Sequence, residues 1–463
     1  MTKRVPLLLE KLSENSGKIH KEAVYYILIV KIPPRGEEFV MTKQRIQLLD
    51  NVFLTYVPAD KFKTDFLSAQ FITPLRAGTA GLNALLPAVL QRGTAEYPDM
   101  QRLSAALDLL YGANVEHSVR KRGENQLWGF VATCVDDAFL PGGDQLLEPL
   151  TDILGQLICR PVLENGTLSP AYVASERTNL IDAIRSAINE KRTFASRRLL
   201  EEMCRGEAYG LSHIGDEASV AAITPEALTA HYHQAIAQSR LELYYCGRAE
   251  MQRVEDAFRA AFRDLPRSGG VPLAAAQPHP VRETPQVIRE QMDVTQGKLC
   301  VGYSVDTDDK EAVVVMNTMF GATSNSKLFL NVREKLSLCY YASSTYHRAK
   351  NMITVASGIE FQNYQKALDE ITAQLTAMQS GSWEDWELTA ARSSLSNGHR
   401  SIFDSASQLE DFYMGQIATG RDDDPEKLLE AALAVTPERI RAAANAVKLD
   451  TIYFLTGKEA TNP

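Results

Sequence analysis

The chain has 463 residues, 45% of them apolar, and a formal net charge of −9. It is long enough for several hydrophobic cores, and its acidic balance argues against non-specific binding to nucleic acid or to an anionic membrane. The six cysteines (Cys134, Cys159, Cys204, Cys246, Cys300, Cys339) are scattered without a Cys-x-x-Cys pair, which predicts buried free thiols in a reducing compartment. The apolar run Ala23 to Val30 is too short to span a bilayer, and Lys31-Ile-Pro-Pro stands where a signal peptide would need small residues. A cytoplasmic protein without nucleic-acid or membrane partners is expected.

Residues 1–40 differ in character from the rest of the chain, and Met41 is a candidate start, which would make 1–40 a mis-assigned extension. Predicted strands then run from Val52 to Tyr56 and from Asp65 to Ile72. From Gly81 to Thr94, the residues Leu82, Leu85, Leu86, Val89 and Leu90 recur at the spacing of one buried helical face. Arg92-Gly93-Thr94 stops that helix, with Gly93 suited to a left-handed cap.

This stretch resembles the zinc-binding helix of the insulinase, or mitochondrial processing peptidase, family (pitrilysin type), in which His-x-x-Glu-His precedes Gly-Thr. Aligned on Gly93-Thr94, the resemblance places Ala84 and Ala88 at the two histidines and Pro87 at the catalytic glutamate. A catalytic zinc needs donor atoms and a bound water; alanine methyl groups supply none, and proline is no general base.

A helix from Met100 to Tyr111 comes next, then strands Asn114 to Val119 and Gln126 to Thr133. They are joined by Arg120-Lys-Arg-Gly-Glu, a charge run expected to be a solvated hairpin tip. After a helix from about Gly143 to Cys159 comes Glu176-Arg177. The family carries Glu-Arg-x-x-x-x-x-Glu here, its second glutamate being the third zinc ligand; this chain has Ala183. The run Asn189 to Met203 is similar to a bacterial subgroup of the family that lacks the zinc motif. His231 and His233 are two apart on a helix and diverge by about 200°, so they cannot share a metal ion.

Thr224-Pro-Glu opens a helix leading into the strand Leu241 to Gly247, and Thr436-Pro-Glu opens another leading into Thr451 to Gly457. Threonine at the N-cap and proline at the first helical position make good helix starts. The repeat predicts two homologous halves, 41–265 and 286–463, separated by a Pro- and Gly-rich linker at 266–285 that reads as extended and exposed.

The second half predicts the strand Lys298 to Ser304, the helix Lys310 to Phe320, the loop Gly321 to Ser326 and the helix Lys327 to Leu336. The run Arg333-Glu-Lys-Leu-Ser-Leu-Cys-Tyr340 is similar to the family's Arg-Glu-x-x-x-Leu-x-Tyr, with Ser337 replacing a glycine. In the family this arginine and tyrosine grip the substrate backbone and assist the carbonyl under attack, work suited to a guanidinium fork and a phenol. Tyr341 is adjacent, and in a strand only one of the pair can face inward. The acidic loop Arg421-Asp-Asp-Asp-Pro lacks calcium-loop spacing and is expected to be solvated.

The resemblance implies an α+β fold of two homologous halves, each of two α+β units with antiparallel sheets covered by helices, closing as a clamshell. It implies a chain with no metal and no catalytic residues of its own. Zinc would come only from a homologous peptidase subunit, with Arg333 and Tyr340 binding an unfolded or extended peptide in trans. The alternative is a peptide-binding or assembly scaffold with no part in cleavage. A self-sufficient zinc peptidase is disfavoured by the missing ligands.

Overall fold

Two sheets organise residues 43–457, the part described by the structure, a computed structural model. The expected extension 1–40, its Ala23 to Val30 run and the candidate start at Met41 lie outside the described residues. The chain begins with β1 (Gln44–Leu49), β2 (Val52–Pro58) and β3 (Thr64–Pro74), then α1 (Ala77–Leu90) and α2 (Met100–Leu109). The hairpin β4 (Asn114–Arg122) and β5 (Asn125–Val135) and the helix α3 (Leu147–Cys159) come after them. A short hairpin, β6 (Leu163–Glu164) and β7 (Thr167–Leu168), leads to α4 (Pro170–Ser186), α5 (Lys191–Met203) and α6 (Glu217–Ala221). The first half closes with α7 (Pro225–Gln238), β8 (Arg240–Gly247) and α8 (Met251–Ala261).

The second half starts with β9 (Gln286–Met292), β10 (Gly297–Val305) and α9 (Lys310–Asn317), then the hairpin β11 (Cys339–His347) and β12 (Met352–Ile359). The helices α10 (Tyr364–Ser380), α11 (Asp385–Phe403), α12 (Ala406–Ala418), α13 (Pro425–Leu433) and α14 (Pro437–Asn445) precede the last strand, β13 (Val447–Gly457). Both Thr-Pro-Glu starts are capped as their sequence predicts. Thr224 accepts a hydrogen bond from the Ala227 N–H at 3.2 Å, and Thr436 from the Arg439 N–H at 3.4 Å.

Apart from the extra edge strand β1, the sheets share one topology. Their orders are β1-β2-β8-β3-β5-β4 and β11-β12-β10-β13-β9. In each, a central strand (β3 or β10) runs antiparallel to both neighbours, and the last strand of the half lies parallel to the first of the matching set, β8 with β2 and β13 with β9. Leu67, Ala69 and Phe71 of β3 face one core with Trp128, Leu243 and Leu154. Leu299, Val301 and Tyr303 of β10 face another with Val355, Met316 and Ile371.

Both central strands are buried on both faces, because each half lends a helix to the other half's sheet. Phe194, Ala195 and Leu199 of α5 pack on Cys300, Tyr453 and Leu455 of the second sheet. There Met203 Sδ would lie 2.6 Å from a Cβ on Gly302, so that glycine permits the crossing. Reciprocally, α12 lies on β3 and β8, with Ser68 Oγ donating to Glu410 Oε1 at 3.0 Å and the Tyr413 ring 6.5 Å from that of Tyr244. The sequence halves are therefore interlocked in space.

The β4–β5 tip is not a solvated turn, contrary to the expectation from its charge run. Arg120 makes two hydrogen bonds of 2.8 Å to Glu410, Arg122 pairs with Asp411, and Lys121 donates to the Tyr209 carbonyl at 2.6 Å. Each charge meets a partner folded against it from far along the chain. The linker departs from expectation as well. It has no regular structure, but His279 is buried, and its N–H donates to the Lys350 carbonyl at 2.7 Å. The acidic loop is tied through Asp422 to Lys43 and through Asp424 to Lys427.

Candidate functional site

The helix predicted around Gly81 to Thr94 is α1, which starts earlier, at Ala77. Ala84 is 4% exposed and Pro87 is buried; Ala88 is half-buried, and Ala183 is exposed on the neighbouring α4. Pro87 has no N–H to offer the Asn83 carbonyl one turn back, a substitution that costs a helix interior about 3 kcal/mol. Around it the Asn83 side chain donates to Gln126 Oε1 at 2.9 Å and to Thr73 Oγ1 at 3.2 Å, and its Oδ1 lies 2.6 Å from His231 Nε2. Burial lowers the His231 pKa to about 4, so its imidazole is neutral and donates to Asn83. His233 is exposed and shares no site with it.

Gly93 is needed for a different reason from the one its position suggested. Its φ is not left-handed; a Cβ there would stand 2.7 Å from the Tyr97 carbonyl oxygen and 2.8 Å from the Pro98 carbonyl carbon. Thr94 is buried and donates to Gln156 Oε1 at 3.0 Å. Glu176, the retained family glutamate, makes an ion pair of 2.9 Å with Arg92 that joins α4 to the end of α1.

These residues do not fit zinc. The positions that the resemblance aligns with the family's ligands hold three methyl groups, the one it aligns with the base holds a proline ring, and the Glu176 carboxylate is engaged by the Arg92 guanidinium. Among the described residues, the single cluster of three close ligand-type groups is elsewhere: Cys204, Glu207 and His279. There Lys350, 1% exposed, already supplies the positive charge, with its ammonium 2.6 Å from both Glu207 and Glu124. Burial and then Glu207 push the Cys204 thiol up to about 12, so it is not a ready thiolate ligand. His279 bridges Glu207 at 2.5 Å and Asp450 at 3.2 Å. This buried network joins the two hairpin tips and the linker, and sequence reasoning missed it because its members are isolated charges 72 to 226 residues apart.

The Arg333 and Tyr340 region is locally irregular. Leu328–Lys335 is wound as a π-helix, a rare form frequent at functional sites. The Arg333 guanidinium lies over the Phe329 ring at 4.5 Å, with Glu334 3.5 Å away. Ser337, at the family's glycine position, has φ 49°, a left-handed conformation that favours glycine. Pairing of β11 with β12 then skips a residue between Cys339 and Tyr341. This bulge leaves Tyr340 81% exposed on an edge strand and turns Tyr341 inward beneath the Arg192 guanidinium, 4.1 Å from the ring centre. No hydrogen bond joins Arg333 to Tyr340 among the described residues.

Fold and site together define a metallopeptidase-type scaffold, with no donor atoms on Ala84, Pro87, Ala88 and Ala183, the residues expected at its metal positions. A family model described as "Peptidase M16 inactive domain" matches residues 222–395. Over 410 residues the chain is 34% identical to the "Probable inactive metalloprotease YmfF" of Bacillus subtilis (strain 168), covering 88% of this chain and 96% of that one. The chain belongs to the M16, or insulinase, peptidase family.

Among solved structures, a conserved protein from Enterococcus faecalis V583 superposes with a TM-score of 0.82 at 27% identity, covering 91% of this chain and 100% of that one. A peptidase M16 inactive domain from Pseudomonas fluorescens gives a TM-score of 0.73 at 15% identity over 91% of this chain and 100% of its own, a likeness of fold alone. The α+β architecture expected from sequence is the observed one.

Proposed function

We propose that this chain is an inactive M16 subunit that pairs with a zinc-bearing homologue and helps to hold extended peptides for cleavage by that partner. One contrast supports the reading: every family position that would bind or use zinc is occupied by Ala84, Pro87, Ala88 or Ala183, while Tyr340 stands exposed on an open strand edge with Arg333 on the helix before it. An edge strand can take up an extended peptide through main-chain hydrogen bonds, and a phenol and a guanidinium suit its carbonyl groups. In this reading the chain holds no zinc of its own. It is cytoplasmic, in keeping with six free cysteines.

The test is to mix the chain with a homologue carrying His-x-x-Glu-His and measure cleavage of an unfolded peptide. The proposal expects activity at least tenfold above that of the partner alone, lost with Arg333→Ala and reduced with Tyr340→Phe. Equal activity with and without this chain would remove it.

A specific observation favours the scaffold alternative. The Gln91 side chain donates to the Val115 carbonyl at 2.7 Å and accepts from the His117 N–H at 3.3 Å. It thereby occupies, on the β4 edge beside α1, the groups an added peptide strand would use. Stable association with a homologue without any change in turnover would establish that alternative.

A further inference from the structure

Where the β4–β5 tip enters the second half, it walls an open cavity of about 490 Å³, within the size range of small-molecule sites. Its inner wall is apolar, formed by Val314 of α9, Leu395 of α11, and Leu428, Leu429 and Ala432 of α13. Its charged groups are unbalanced. Lys121, Arg122, Arg348 and Arg421 face only Glu311 and Asp411, an excess of two positive charges in a chain whose net charge is −9.

The acids are already committed, since Arg348 pairs with Glu311 at 2.5 Å and Arg122 pairs with Asp411. Arg421 is the most loosely held. Its Nε donates to Thr419 Oγ1 at 3.3 Å, its Nη1 has no hydrogen-bond partner, and its nearest acid, Asp423, is 3.8 Å away. Burial and the neighbouring Arg348 both work against its charge and lower its pKa, and burial with these two arginines does the same to Lys310. Like charges gathered in a half-buried place are destabilising unless an anion joins them.

We propose that this cavity binds a small amphipathic carboxylate, its oxygens on Arg421 and Arg348 and its apolar body against α11 and α13. A guanidinium donates to a carboxylate through a planar fork, and the apolar wall selects against a bare inorganic anion. Because the walls come from both halves, such a ligand bridges the interlock and stabilises the folded chain by mass action. The site is separate from the Arg333 and Tyr340 region and stands or falls independently of peptide handling.

The test is calorimetric titration of the full chain with octanoate, read alongside the thermal midpoint, with octan-1-ol and inorganic phosphate as comparison probes. Octanoate should bind with a Kd below about 1 mM and raise the midpoint, and the two comparison probes should do neither. Arg421→Gln should weaken octanoate binding at least tenfold, and Leu429→Trp, which fills the cavity from its apolar wall, should abolish it. Octanoate that does not bind overturns the proposal. So does octanoate matched by octan-1-ol or by phosphate, or bound equally by both variants.

Discussion

Lys350 keeps its charge at 1% exposure only because Glu124 and Glu207 lie 2.6 Å from its ammonium. Lys350→Met would leave Glu124 without a counter-ion and Glu207 with His279 alone, and breaking a buried pair typically costs about 3–5 kcal/mol. Urea unfolding should show a drop of that size, and an unchanged midpoint would mean that water replaces the ammonium. His279 sits in the same network. Burial opposes its imidazolium, but Asp450 and Glu207 outweigh burial and raise its pKa above the ordinary value. Its contribution to stability is therefore complete below about pH 6.5 and is lost as pH rises through the folded-state value. The stability gap between the native chain and His279→Gln should accordingly be widest at about pH 6 and below and shrink as pH rises above about 6.5, as denaturant midpoints across that range would record.

At the scale of elements, the exchanged helices α5 and α12 do most to join the halves. Gly302→Val would drive a branched side chain into Met203, and overpacking of this kind costs about 1–3 kcal/mol. It should lower the thermal midpoint while leaving the first-half core intact, which hydrogen exchange at Phe71 and Trp128 would report. Legibility in the sequence divides along the same line. Thr224 and Thr436 announced their helices because a cap is a local device, and the apolar runs Asp65 to Ile72 and Lys298 to Ser304 marked the two central strands β3 and β10. Although their correspondence to metal positions rests on the family resemblance alone, the residue types at Ala84, Pro87, Ala88 and Ala183 were legible as lacking donor atoms. The fate of Arg120, Lys121 and Arg122 was not, because a charge run is solvated or buried according to partners such as Glu410, which lies 290 residues away from Arg120. Nor was the bulge that exposes Tyr340, a one-residue register shift between Cys339 and Tyr341 that no local residue type announces.

For the whole molecule, both sheets, their covering helices and the interlocked pair persist around α1, whose Ala84 and Pro87 pack like ordinary core residues. The scaffold rests on its two apolar cores and on the buried charge network. Among the described residues, no helix is long and apolar enough to cross a membrane.

The central claim, a peptidase frame without the donors to hold a catalytic ion, is tested most directly by measuring zinc in the purified full chain. After dialysis against buffer containing micromolar zinc, elemental analysis should find well below 0.1 zinc per chain. One tightly held zinc per chain, lost together with hydrolysis of an unfolded peptide when a chelator is added, would contradict it.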